Sequence, residues 1–171
     1  MGTTPSQTVG PFFSFGLCVT PTNLLVDEAT PGALRVVGRV IDGAGEGVPD
    51  AMVEIRQADP AGGYSADFGW GRSGTDASGR FEFVIVKPGA VASPHGLLAP
   101  HLAVLVFARG LLKPLYTRMY FPDETAVNEA DPVLAGLPEE DRATLVATVD
   151  GDGLRFDIRL QGDDQTAFFA L

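Results

Sequence analysis

Residues 99–110 read APHLAVLVFARG, a run that is nearly all apolar, with His101 at its start and Arg109 at its end. So apolar a stretch predicts a central β-strand covered on both faces. A strand opening His-x-His offers two imidazoles to a metal ion. Here the second of those positions is Ala103, so the strand is either a metal strand that has lost a ligand or ordinary core with a histidine at its edge.

Strand patterns continue on both sides of it. LRVVGRVI (34–41) places Arg35 and Arg39 on one face. AMVEIRQ (51–57) puts Met52 and Glu54 on one face and Val53 and Ile55 on the other. RFEFVIV (80–86) alternates cleanly, and LYTRMYF (115–121) sets Tyr116, Arg118 and Tyr120 against Thr117, Met119 and Phe121. TLVATVD, LRFDIRLQG and QTAFFAL complete a set of seven or eight short strands. Residues 59–79 and KPGAVASPHGLLAP (87–100) read as loops, and PDETAVNEADPVLAGLPEEDR (122–142) as an acidic connection with room for a helical turn. Turn signals about every ten residues make the domain an all-β, two-sheet sandwich. It occupies residues 34–171, behind an irregular arm of residues 1–33. The arm carries Phe12, Phe13, Phe15 and Leu17, too apolar for a free tail, and packs on its own core or on a partner chain.

Composition excludes several function classes. Twelve Lys and Arg stand against 22 Asp and Glu, a formal charge of −10, which disfavours nucleic acid and anionic membrane. No apolar run reaches the roughly 20 residues of a membrane span. A single cysteine, Cys18, permits no intrachain disulfide and suits a reducing cytoplasm, and the aromatic N-terminus is unlike a secretion signal. Residues 83–122 hold no acid but include Lys87, Arg109, Lys113 and Arg118, an island suited to an anionic small molecule or an acidic partner surface.

Gly-rich phosphate loops, CxxC, HExxH and GxSxG are all missing. His95 and His101 are the only histidines available as a general base, and neither has a nucleophile in a recognisable setting. Tyr64 lies in a loop able to reach the end of the sandwich where His101 starts its strand, but two donors do not hold a metal. Arg109 needs a counter-charge or solvent, so it serves either an internal salt bridge or an anionic ligand.

Taken together, TPSQTVGPFF, EIRQADPAGGY, GRFEFVIVKPG, APHLAVLVFARG, LYTRMYFPDE and RFDIRLQG…TAFF resemble the intradiol ring-cleaving dioxygenases, in the same order, from Thr4 to Phe169. The resemblance implies homologous alpha and beta chains that pair about a pseudo-two-fold axis and build higher-order symmetric hetero-oligomers. It implies one non-haem Fe(III) on the partner beta chain, held by two tyrosines and two histidines, where a dihydroxybenzoate is cleaved with O2. Carried over position by position, the ligand sites fall on Tyr64, Val91, His101 and Ala103, of which two no longer carry a ligand. That is the pattern of the family's alpha chains, with no metal of their own. By the same resemblance, Gly10 and Pro11 of the arm and Arg109 border the substrate pocket beside the partner's iron. Arg56 stands where the family usually has tryptophan. A different class of function stays open: a transthyretin-like sandwich that binds small anionic aromatics without turning them over.

Overall fold

In the computed structural model, which describes residues 3–18 and 22–170, two sheets enclose one core. The arm's Pro21 and the last residue of QTAFFAL lie outside the described residues. One sheet is built on β1 (Ala33–Ile41), which pairs antiparallel with β4 (Arg80–Val86). Its other edge pairs in parallel with β10 (Gly153–Arg155) and then β11 (Ile158–Arg159), and β9 (Thr148–Asp150) lies outside β10. The second sheet runs β3 (Trp70–Gly74), β2 (Ala51–Arg56), β7 (His101–Ala108), β8 (Leu115–Tyr120), all antiparallel. Alternate residues face inward because successive side chains on a strand point to opposite faces. Val36, Val40, Phe83 and Ile85 thus meet Val53, Ile55, Leu102, Val104 and Val106, all 3% exposed or less.

Gly38 marks the place where β1 passes from β10 to β11. A Cβ there would lie 1.9 Å from the Phe156 carbonyl oxygen and 2.6 Å from the Phe81 ring. The Val37 carbonyl accepts from Phe156 N (2.8 Å), and the Asp157 carboxylate accepts from Arg39 N (3.0 Å), closing the gap in the ladder.

The all-β sandwich read from the sequence is the fold observed, with differences in detail. WGRSG is strand β3, although two glycines weaken its strand signal; it forms because β2 supplies the pairing. The 87–100 loop contains a small hairpin, β5 (Val91–Ser93) with β6 (Gly96–Leu98). The acidic connection folds into three short helices, α2 (Thr125–Ala130), α3 (Pro132–Ala135) and α4 (Glu139–Leu145). Asp131 caps α3, accepting from Val133 N and Leu134 N, and its other carboxylate oxygen takes Ala99 N at 2.7 Å, which fixes the entry to β7. α4 takes the Thr144 and Leu145 that the sequence suggested for a strand, so β9 starts only at Thr148. LRFDIRLQ is split at Phe156 and Asp157, and QTAFFAL contributes only a bridge from Phe169 to Tyr116. β7 is central but not covered on both faces: Ala103, Leu105 and Phe107 on its outer side are only half-buried, because no second layer lies over that face among the described residues.

The arm is not wholly irregular, since Phe13–Leu17 forms the short helix α1. It lies along the loop after β7. Ser6 Oγ donates to the Leu112 carbonyl (2.7 Å), and Thr8 Oγ1 accepts from Gly110 N (2.9 Å). Leu25 packs on the core, whereas Phe12 and Phe15 are 73% and 72% exposed. Among the described residues, no helix is long and apolar enough to cross a membrane.

Candidate functional site

The residues singled out in the sequence fall at the two ends of β7. His101 and Arg109 are eight residues apart, which at the rise of an antiparallel strand is about 27 Å.

Tyr64, Val91, His101 and Ala103 gather at the start of the strand. The Tyr64 loop packs on the segment before Val91, where Gly89 N donates to the Asp59 carbonyl (2.9 Å) and a Cβ on Gly62 would strike the Ala90 carbonyl oxygen at 2.1 Å. Val91 pairs with Leu98 in the hairpin that leads into His101. His101 is 4% exposed, and its Nδ1 donates to the Ala99 carbonyl at 2.8 Å. Burial pushes its pKa down and outweighs the Ala99 hydrogen bond, which raises it; the Arg118 guanidinium lowers it further and Asp131 raises it. The imidazole is therefore neutral, packed 5.7 Å from the Tyr120 ring.

Ala103 lies between two arginines. It pairs with Arg56 across β2 and with Arg118 across β8, so all three share the outer face of the sheet. Arg118 Nε donates to the Tyr116 hydroxyl (3.2 Å) and Nη1 to the Tyr120 hydroxyl (3.3 Å), and the guanidinium lies 6.0 Å from the centre of the Phe169 ring. Burial alone would lower the Arg118 pKa, but the two phenol hydrogen bonds outweigh it and the pKa rises. Burial pushes the Tyr120 phenol up to about 12, so it remains protonated. Arg56 donates to the Ser65 carbonyl and lies 5.9 Å from the centre of the Tyr64 ring. The half-exposed Tyr64 has its pKa raised by burial first, with Arg118 and Arg56 pulling the other way.

This donor set does not suit iron. Val91 and Ala103 bring no ligating atom, so only one ring nitrogen of His101 and the Tyr64 phenol remain, and two donors do not hold the ion. A tripositive ion between Arg56 and Arg118 would also be repelled by two fixed cations.

The arm and Arg109 gather at the other end. Thr8 bonds Gly110, so Gly10, two residues on, lies within about 7 Å of that point. Gly10 and Pro11 are exposed and lead directly into α1, where the Gly10 carbonyl accepts from Phe13 N. Arg109 Nε donates to Asp50, so the internal salt bridge is formed, yet the Arg109 side chain is still 58% exposed. An open cleft of about 560 Å³ adjoins this edge, lined by Phe13, Cys18, Asp50, Gly74, Asp76 and Arg80 among others. The basic island is not one surface. Lys87 is held by Asp123 and Glu124, Arg109 by Asp50, and Arg118 by phenols on the outer sheet face.

The Dioxygenase family matches residues 10–162. The chain belongs to the intradiol dioxygenases. This dioxygenase chain is 44% identical to the protocatechuate 3,4-dioxygenase alpha chain of Burkholderia cepacia, over 97% of this chain and 96% of the relative. It is 34% identical to the beta chain of the enzyme from the same organism, over 85% of this chain and 72% of the relative. Among solved structures, the dioxygenase domain of a dioxygenase carbohydrate-binding protein fusion from Streptomyces sp. SirexAA-E superposes with a TM-score of 0.65 at 27% identity, covering 97% of this chain and all of that one. The intradiol dioxygenases are non-haem iron enzymes.

The two arginines flanking Ala103 are not legible in the sequence as a pair. Arg56 stands out only as a replacement for tryptophan, and Arg118 only as one member of an alternating face. Their meeting across Ala103 depends on the register of three strands, which strand periodicity does not supply. Asp50 was missed as the partner of Arg109 for the same reason, because they are joined only by the Ala51–Ala108 pairing.

Proposed function

We propose that this chain is the alpha, non-iron subunit of a protocatechuate 3,4-dioxygenase. It pairs with a homologous iron-bearing beta chain in a symmetric hetero-oligomer and completes that chain's substrate pocket. The observation that carries this reading is Ala103 paired with Arg56 on one side and Arg118 on the other: the position matched to an iron ligand by family resemblance has no donor atom and two cationic neighbours. The iron then belongs to the partner, where it supplies activation of the bound catechol toward O2.

This chain's contribution comes from the other end of β7. Gly10 and Pro11 shape the rim, and Arg109 presents a guanidinium to the ring carboxylate that distinguishes protocatechuate from catechol. A charge-assisted hydrogen bond of this kind is worth roughly 1.5–3 kcal/mol. Asp50 steadies the arginine at its Nε edge, and exposure of the side chain is what an inter-chain contact requires. Phe12 and Phe15, left in water by this chain, fit burial against the partner at roughly 1.5–3 kcal/mol each. The named relatives are dioxygenase chains, which favours this reading over a binding module.

The test is reconstitution. The chain co-expressed with a beta chain should open protocatechuate to 3-carboxy-cis,cis-muconate, and deleting residues 1–13 should weaken assembly and turnover together. A stable homo-oligomer that gives no turnover with any beta chain would support the binding module instead.

A further inference from the structure

We propose that Arg56 and Arg118, astride Ala103, form a binding site on this chain for the carboxylate of a small aromatic acid. The metal position kept its positive charge and changed its chemistry, from a cation that takes oxygen ligands to a guanidinium pair that takes an anion.

The first support is the distribution of counter-charge. Seven of the twelve Lys and Arg residues have a carboxylate partner among the described residues, as expected in a chain with 22 acids. Arg56 and Arg118 are among those without one, although both are partly buried. A guanidinium has five N–H donors. Arg118 spends two on the phenols of Tyr116 and Tyr120, and Arg56 spends one group on the Ser65 carbonyl, so each keeps donors for a ligand.

The second support is geometry. Strands β2, β7 and β8 are neighbours, so Arg56 and Arg118 start about 10 Å apart on one face, with only a methyl group between them. Two long side chains rooted at that spacing can share one carboxylate.

The third support is the wall. Tyr64 lies under Arg56 and within electrostatic reach of both arginines, while Phe169 packs 5.7 Å from Tyr116 and lies under Arg118. Aromatic faces beside paired guanidiniums favour a flat ring carrying the acid over a bare inorganic anion.

Benzoate serves as the probe, because it has the carboxylate and the ring but no vicinal hydroxyls. Calorimetric titration of the chain co-purified with its beta partner should show a class of benzoate sites equal in number to this chain that persists in Arg109→Ala, which separates it from carboxylate binding in the shared substrate pocket. Arg56→Gln and Arg118→Gln should each weaken that class about tenfold, and Arg118→Lys by less. Turnover of protocatechuate should be unchanged in all three. If Arg118→Gln does not assemble, Arg56→Gln decides, since its side chain lies at the surface edge of the site. Wild-type affinity in a folded Arg56→Gln variant, or no such class in the wild type, would overturn the proposal. Loss of turnover in the wild-type complex bears on the subunit assignment alone, because the benzoate count does not depend on it.

Discussion

Ala103 lies within β7 and Arg109 just past its end, six positions and about 20 Å further on. Arg109 is expected to act on substrate in the partner's pocket. In the reconstituted enzyme, Arg109→Ala should lower kcat/KM for protocatechuate by about 10–100-fold, mostly through KM, because the carboxylate is remote from the reacting carbons and is held equally in ground and transition states. Catechol, lacking that carboxylate, should lose much less. Equal losses for both substrates would assign Arg109 to the interface instead, with Asp50 as its structural partner. His101 supplies a separate test. Its folded pKa is depressed, chiefly by burial, below the ordinary 6.5. Between those two values the unfolded chain binds a proton that the folded chain refuses, so stability is full above about 6.5 and falls as pH drops toward the folded value. The slope approaches at most about 1.4 kcal/mol per pH unit. Melting temperature followed from pH 7.5 to about 5 should show this fall, and His101→Gln should flatten it.

At the scale of elements, the strands carrying clean alternation were legible: β1, β2, β4 and β8 lie where their patterns place them, because a half-buried strand writes its faces into its sequence. β3 was not, since its Gly71 is there to avoid a clash: a Cβ would lie 2.4 Å from Leu25 Cδ1, a contact set by the arm. The split of LRFDIRLQ into β10 and β11 was equally hidden, because the inward set Leu154, Phe156 and Ile158 continues unbroken through it. The reason for the split is Gly38 on β1. Gly38→Ala should cost on the order of 3 kcal/mol or more, since the added methyl meets backbone that cannot move without unpairing Phe156 from Val37. Denaturant unfolding measures this, and a loss below about 1 kcal/mol would mean that the crossing is soft. The four ligand positions were placed by their resemblance to the family, and the structure brings them together at one end of β7. The arginines on either side of Ala103 became visible only with the strand register.

At the scale of the whole molecule, the sandwich carries Ala103 between Arg56 and Arg118 at one end and an exposed arm with Arg109 at the other. A chain so arranged is half of an enzyme, and its iron content states this most directly. The full-length chain, produced alone in iron-replete medium and again together with its beta partner, should be analysed for iron by elemental analysis and for the visible phenolate-to-iron charge-transfer band. The chain alone should be colourless with no stoichiometric iron, and the complex should hold one iron per alpha–beta pair with the band present. About one iron per chain in the chain purified alone, with the charge-transfer colour, would contradict this.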